Sequence, residues 1–177
     1  RRWKCMVERY VIGDLHFGDP NIIHFENRPF LMVEEMNRTL IENWNGEVLS
    51  ADDIVYVIGD FFDFTHISEE NAQKILKQLR GHIILIAGNH DLGHLNFFRK
   101  NGIEVIEYPI LVDDFWILSH EPKYVNKNSP YANIFAHVHN NPMYNDVSSR
   151  SFCASAERIG YRPIRLSDAF ARVRDLA

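Results

Sequence analysis

The sequence predicts an α/β fold, in which short buried strands alternate with amphipathic helices. Apolar runs of five residues occur at 54–58 and 83–87, and a third β-rich run covers 7–12. Each run ends abruptly at a glycine that is followed by a polar residue. The segments between the runs place apolar residues at helical spacing. Alternation of this kind is typical of layered α/β domains.

Two helices are predicted between the first strand and the second. The first covers 21–25, because Asp19 followed by Pro20 is typical of a helix N-cap and the first helical position. The second covers 30–44, where apolar residues keep to one face of a helix. The residues of that face, which we expect in the core, are Val33, Met36, Leu40 and Trp44.

A third helix is predicted between the second strand and the third. Ser68 is a suitable N-cap, and Glu69 and Glu70 suit the positive end of the helix dipole. Gly81 ends the helical pattern. Its apolar residues repeat at i, i+3, i+4 and i+7, and they are Ala72, Ile75, Leu76 and Leu79.

The second half of the chain predicts shorter elements. A helix over 96–101 ends at Gly102, and a terminal helix covers 167–176. Short strands are expected at 104–108, 115–118 and 133–135, and a closing antiparallel pair at 151–156 and 161–166.

The composition is that of a globular protein, which excludes several other classes. Of 177 residues, 46% are hydrophobic and 24% are charged, so one domain over 1–177 is expected. No apolar run approaches the roughly 20 residues of a membrane-spanning helix, so we expect no membrane partner. The net charge of −5 disfavours a strongly cationic nucleic-acid binder.

The start of the chain and its cysteines predict a cytoplasmic protein. Residues 1–5 carry charge but no apolar segment follows them, which is unlike a secretory signal. We expect these five residues to be a non-native or disordered leader. Cys5 and Cys153 form no CxxC pair, and two distant thiols in such a chain are expected to stay reduced.

Side chains of metal-ligand type follow five separate predicted strands. In layered α/β folds, residues at the carboxyl ends of strands meet at one rim of the sheet. Capping or turn formation would explain any one of them alone, but five of the nine histidines fall in these clusters. The clusters are Asp14 and His16; Asp60 and Asp63; Asn89, His90 and Asp91; His120; and His137 and His139.

The chemistry of this set predicts two divalent cations. Asp, Asn and His without thiolate suit Mn²⁺, Fe or Zn²⁺ better than Ca²⁺ or a Cys-rich zinc site. About seven candidate ligands are too many for one tetrahedral ion, whereas two ions about 3.5–4 Å apart would use them all. We expect Mn²⁺ first, with Fe, Zn²⁺, Ni²⁺ and Mg²⁺ as alternatives.

The same residues resemble the five sequence blocks of the calcineurin-like metallophosphoesterase family. Order and approximate spacing match from Asp14 to His139, and residues 13–30 resemble small bacterial and phage members without a cap domain. The resemblance implies a four-layer αββα sandwich, with two mixed β-sheets flanked by helices. The blocks are Asp14-Leu15-His16, Gly59-Asp60-Phe61-Phe62-Asp63, Gly88-Asn89-His90-Asp91, His120, and Ala136-His137-Val138-His139.

The resemblance also implies a role for each residue. Asp60 would bridge the two ions, and a hydroxide between them would attack phosphorus. His90 would act at the leaving-group oxygen, and Asp63 or Asp91 would orient its imidazole. One ion would be held by Asp14, His16, Asp60 and His139, and the other by Asp60, Asn89, His120 and His137.

Two departures from the family pattern bear on the substrate. Ala136 stands where the last block usually has glycine, which is costly only where φ is positive. Phe64 stands where protein phosphatases carry a phosphate-binding arginine, so protein phosphatase activity is disfavoured. Arg28 and Asn89 are the candidate substrate-binding residues, and the guanidinium of Arg28 suits a phosphate group. An ion pair of Arg28 with Glu34 or Glu35 is an equally good interpretation.

The expected function is hydrolysis of small phosphate esters by a monomer or homodimer. Diesters, such as cyclic nucleotides or small phosphodiesters, are favoured because the protein-phosphatase arginine is missing. Phe61, Phe62 and Phe64, some of which must lie in the core, offer an apolar wall for the second ester group. A phosphomonoesterase and a nuclease are the alternatives, and an inert scaffold of the same fold is disfavoured because every ligand is kept. Loop tyrosines that could stack on a base are Tyr124, Tyr131 and Tyr144.

Overall fold

The computed structural model describes residues 6–173, so the predicted leader at 1–5 and the last residues of the predicted terminal helix lie outside the described part. The strands are β1 (Arg9–Ile12), β2 (Ile54–Val57), β3 (His82–Ile86), β4 (Glu104–Ile106), β5 (Ile110–Val112), β6 (Trp116–Leu118), β7 (Ala132–Phe135), β8 (Ser151–Cys153) and β9 (Ile164–Arg165). The α-helices are α1 (Pro20–Phe25), α2 (Val33–Glu47), α3 (Glu69–Leu76), α4 (Leu95–Lys100) and α5 (Leu166–Arg172).

The strands form two mixed sheets. The first has the order β4-β3-β2-β1-β9, in which β1 to β4 are parallel and β9 is antiparallel to β1. The second has the order β5-β6-β7-β8, in which only β5 is antiparallel to its neighbour. The parallel strands of each sheet therefore deliver the residues that follow them to one edge.

The core lies on both faces of the first sheet. One face of β1, β2 and β3 packs against α2, α3 and α4, where Met36, Leu40 and Trp44 are fully buried. The other face packs against the second sheet and α5, with Ile58 and Ile134 among the buried residues. The α/β sandwich of two mixed sheets flanked by helices is thus confirmed.

The predicted starts of two helices are also confirmed. Asp19 accepts a 2.7 Å hydrogen bond from the backbone N–H of Asn21, and Pro20 is the first residue of α1. Ser68 accepts one of 3.2 Å from the backbone N–H of Asn71 at the start of α3. The second helix begins at Val33 rather than at residue 30, which shifts its range by three residues.

The predicted antiparallel pair at 151–156 and 161–166 is wrong. β8 pairs with β7 in the second sheet, whereas β9 pairs with β1 in the first. The chain crosses between the sheets through a 3₁₀ helix, Ala156–Ile159, which ends at Gly160 with φ of 67°. Backbone hydrogen bonds from Gly13 to Ala154 and from Ala156 to Gly13 hold this crossing against the end of β1. The sequence prediction also missed β5.

Candidate metal centre

The strand ends bring the seven predicted ligands to one place. Side-chain ligand atoms of Asp14, His16 and His139 lie within 4.8 Å of one another, and so do those of Asp60, His120 and His137. Asn89 completes the second group, because its Oδ1 lies 3.1 Å from Nε2 of His120. Each group combines residues that follow strands of the first sheet with residues that follow strands of the second, so the site lies where the sheet edges meet.

Asp60 lies between the two groups. Its Oδ2 is 3.6 Å from Nε2 of His16 and 3.4 Å from Nε2 of His120. One carboxylate oxygen thus faces an imidazole of each group, and the second oxygen accepts a 3.0 Å hydrogen bond from the backbone N–H of His90. This is the placement that a bridging carboxylate requires.

The backbone at the site is strained. Asp14, His16, Asp60, His137 and His139 have φ values between 49° and 71°. Non-glycine residues avoid this left-handed region, and outliers cluster at functional sites because the surrounding structure holds them there. A positive φ turns each of these side chains sharply out of the strand direction and towards the centre.

Small residues in the same blocks allow the strand ends to approach. A Cβ on Gly88 would lie 2.3 Å from Oδ1 of Asp60, and one on Gly59, where φ is 78°, would lie 2.2 Å from Nδ1 of His120. Ala136 is absent from the described residues with positive φ, so its methyl group introduces no backbone strain. A Cβ on Gly13 would lie only 2.5 Å from the Cβ of Ala136, so only one of these two positions can carry a side chain.

The donor set fits divalent cations. Both ring nitrogens of His16 are buried without a hydrogen-bond partner, which is costly unless another group takes their lone pair or proton. Burial lowers the pKa of His16 to about 3 and keeps the imidazole neutral, as a metal ligand must be. Burial raises the pKa of Asp60, but the hydrogen bond and charge of His120 outweigh it and hold the pKa at about 2. Asp60 therefore supplies negative charge between the two groups.

Asp91 holds the backbone around the candidate metal centre by hydrogen bonds. Its buried carboxylate accepts hydrogen bonds from the backbone N–H groups of Asp60 and Gly88, both 2.8 Å, and of Phe61, 3.0 Å. Burial raises the pKa of this carboxyl to about 6 despite those hydrogen bonds. Asp91 thus ties the end of β2 to the end of β3.

His90 lies at the exposed side of the site, with its ring edge-on to that of His16 at 5.0 Å between centroids. In the described part of the chain, neither Asp63 nor Asp91 makes a hydrogen bond to the His90 imidazole. The carboxylate of Asp63 accepts from the backbone and the hydroxyl of Thr65 and contacts Nδ1 of His66. Asp63 is therefore committed to the turn that follows β2.

Arg28 is buried and already bound. Its guanidinium donates to Oε1 of Glu157 at 2.6 and 2.8 Å and to the carbonyl oxygens of Asp14, 2.6 Å, and Leu15, 2.9 Å. Neither Glu34 nor Glu35 is its partner. This placement supports the first block from behind and does not present the guanidinium to a substrate.

Sequence reasoning missed two supporting residues. Oε1 of Glu157 lies 3.1 Å from Nδ1 of His139, which favours Nε2 of that imidazole as the metal-binding atom. The hydroxyl of Ser155 donates a 2.5 Å hydrogen bond to Oδ2 of Asp14. Both follow the last sequence block and lie far along the chain from the first, so no spacing pattern could have identified them.

Two of the three phenylalanines expected near the second block belong to the core, so the apolar wall is not formed by them. Phe61 and Phe62 are fully buried and stack on each other in the core. Phe64 is partly exposed and stacks on His94 at 4.1 Å between centroids. These rings therefore pack the interior and offer little surface to a substrate.

The fold and the site together define a two-sheet protein of the metallophosphoesterase class. A model of the calcineurin-like phosphoesterase family matches residues 9–175, and the chain belongs to that family. The predicted resemblance is thereby confirmed, and with it a metal-dependent phosphoric ester hydrolase. No helix among residues 6–173 is long and apolar enough to cross a membrane.

Three proteins are similar to this chain, and the two with solved structures share its fold. The chain is 37% identical over 165 residues to the uncharacterised protein MJ1445 of Methanocaldococcus jannaschii, which covers 91% of this chain and 88% of that protein. The structure of AQ665 from Aquifex aeolicus, a protein of unknown function, superimposes with a TM-score of 0.75 over 95% of this chain and all of that one, at 24% identity. The nuclease MPE of Pseudomonas putida shares the fold over 74% of this chain and 60% of its own, with a TM-score of 0.50 and 21% identity.

Proposed function

We propose that this protein hydrolyses phosphate diesters with small ester groups at a centre of two divalent cations. The observation that carries the proposal is the position of Asp60, whose one carboxylate oxygen faces both His16 and His120. The first ion would be held by Asp14, His16, Asp60 and His139, and the second by Asp60, Asn89, His120 and His137. Two cations held there supply positive charge that lowers the pKa of water and stabilises the phosphoryl oxygens.

The protein's own groups supply positioning and a proton. His90 is fixed by its backbone hydrogen bond to Asp60, and its exposed imidazole can donate a proton to a departing ester oxygen. Glu157 holds the His139 ring and Ser155 holds the Asp14 carboxylate, so that both ligands are oriented in advance. Asn89, which is exposed, has an amide that can also contact the substrate phosphate.

The preference for diesters rests on the cations that the chain offers. A monoester dianion gains more from an additional cation beside the metals than a diester monoanion does. Arg28, the expected cation, is bound to Glu157 and buried, and position 64 is phenylalanine. Neither of these two positions therefore supplies the additional cation that a monoester would favour.

The test compares bis-p-nitrophenyl phosphate with p-nitrophenyl phosphate in the presence of Mn²⁺. We expect a higher kcat/KM for the diester, and Asp60→Asn should abolish both activities. A higher kcat/KM for the monoester would contradict the diester proposal.

We also propose that Mn²⁺ is the native metal. Titration of the metal-free protein with Mn²⁺, Fe²⁺, Zn²⁺, Ni²⁺ and Mg²⁺ tests this. A cytoplasmic location and a monomeric or homodimeric state stay predictions.

A further inference from the structure

One cavity opens directly beside the second group of ligands. It has a volume of about 230 Å³, and Asn89 and His120 form part of its wall. The rest of the wall comes from the segments after β3 and after β6 and from the segment between β4 and β5, and it includes Leu92, Tyr108 and Pro109. We call this space the Tyr108 cavity. Because Asn89 and His120 belong to both, the cavity adjoins the metal centre.

The exposed apolar side chains of the Tyr108 cavity point to a planar occupant. Tyr108 is 69% exposed and Leu92 is 57% exposed. An exposed tyrosine ring beside a phosphate site is a stacking platform for a nucleobase or another aromatic ring. Leu92 and Pro109 add apolar surface to the same space.

The charges of the cavity favour an uncharged group over a second phosphate. Glu107 and Glu121 line it together with Lys123. Glu107 is paired with Arg99 at 2.6 Å, and Lys123 carries no ion pair within the described part of the chain. The carboxylate of Glu121 disfavours a further anion, while the ammonium of Lys123 can donate to a carbonyl or sugar oxygen.

The position of His90 indicates which ester group the cavity receives. His90 is absent from the cavity wall, and its ring contacts His16 of the first group. If His90 serves the departing oxygen, the cavity lies on the side of the group that stays on phosphorus.

We propose that the Tyr108 cavity binds the base or aryl ring of the retained ester group, so that nucleoside phosphodiesters are the preferred substrate class. This inference rests on the proposed function and adds the identity of one ester group to it. Tyr108 supplies the stacking surface, and Lys123 contacts polar atoms of the base or sugar.

The experiment uses two diesters with the same leaving group, thymidine 5′-p-nitrophenyl phosphate and methyl p-nitrophenyl phosphate. The ratio of their kcat/KM values reports the retained group alone. We expect Tyr108→Ala to lower this ratio roughly 5- to 30-fold, the lower part of the range for base–aromatic stacking, because the ring is largely exposed. Tyr108→Phe keeps the ring and should keep the ratio. Phe25→Ala removes an exposed aromatic ring that does not line the cavity, and should also keep the ratio.

A binding measurement separates this inference from the proposed function. Calorimetric titration of the Mn²⁺-loaded protein with thymidine 5′-monophosphate and with methyl phosphate gives the same comparison without turnover. If Tyr108→Ala weakens binding of the nucleotide but not of methyl phosphate, the cavity assignment is supported. Absence of hydrolysis of both diesters would overturn the diester proposal but would leave that binding result valid. The cavity assignment would be overturned if Tyr108→Ala changed neither the ratio of the two kcat/KM values nor the ratio of the two dissociation constants. The diester proposal would then remain intact.

Discussion

The carboxylate of Asp91 holds the backbone of Asp60 in place, with 2.8 Å between its Oδ2 and the Asp60 amide nitrogen. Asp60 has a φ of 54°, a conformation that costs free energy in a non-glycine residue. The hydrogen bonds from Asp60, Phe61 and Gly88 to one buried carboxylate offset that cost. The position of Asp60, which we propose as the bridge, is thus maintained by a fully buried residue.

Asp91→Asn should therefore destabilise the protein while Asp60 remains chemically intact. An amide can accept only through its oxygen, so its NH₂ group would face backbone donors and leave at least one of them unsatisfied. We expect the free energy of unfolding to fall by roughly 2–4 kcal/mol. Urea denaturation measures this, with Asp52→Asn at an exposed turn as the control. A loss below that of the control would show that Asp91 is not a structural tie.

Asp60→Asn tests the bridge itself. The substitution removes the negative charge that lies between the two groups of ligands, so both cations should bind more weakly and turnover should be lost. Mass spectrometric metal analysis after gel filtration should give fewer than two metals per chain. Asp63→Asn is a matched control, because Asp63 contacts Thr65 and His66 and should leave the metal content unchanged. Two metals and full activity in Asp60→Asn would refute the assignment.

The proposed ligands could be recognised in the sequence, whereas the residues that support them could not. The ligands follow apolar strands, so strand periodicity and residue type together locate Asp14, Asp60 and Asn89. Glu157 and Ser155 act across the fold, on partners that lie 129 and 141 residues away along the chain. Contacts of that kind depend on the path of the chain between the sheets. Local patterns also could not indicate that β8 and β9 belong to different sheets.

The conformation of the ligands is a second feature that the sequence does not reveal. Asp and His at a strand end are compatible with an ordinary β conformation, and nothing in their spacing predicts a positive φ. Arg28 is a related case. Its position in the sequence after the first block is compatible both with binding phosphate and with a structural role beside that block. Only the fold shows that Glu157 and two carbonyl oxygens occupy its guanidinium.

Arg28→Ala should destabilise the protein strongly without changing its preference between monoesters and diesters. The substitution leaves the Glu157 carboxylate, whose side chain is 3% exposed, without its cationic partner. Breaking a buried ion pair from one side costs about 3–5 kcal/mol. Arg9→Ala is the control, since the Arg9–Asp113 pair is half-exposed and should cost at most about 1 kcal/mol.

The kinetic half of this prediction uses Arg28→Lys, which keeps the charge but loses the bidentate geometry. The ratio of kcat/KM for bis-p-nitrophenyl phosphate to that for p-nitrophenyl phosphate should match the wild type. A monoester preference in the wild type that disappears in Arg28→Ala would instead make Arg28 the phosphate-binding residue.

His90→Ala separates metal binding from proton transfer. The His90 imidazole is exposed and lies outside both groups of ligand atoms, so the variant should keep two metals. If the ring protonates the departing oxygen, kcat should fall by roughly 10²–10⁴-fold for an alkoxide leaving group. The loss should be much smaller for p-nitrophenolate, which departs without a proton.

The measurement is the dependence of log kcat on the pKa of the leaving group over a series of methyl diesters. This dependence should be steeper in His90→Ala than in the wild type. His82→Ala removes an exposed histidine at the start of β3, far along its strand from the site, and should leave the slope unchanged. Equal losses for all leaving groups would assign His90 to charge stabilisation, and loss of a metal would make it a ligand.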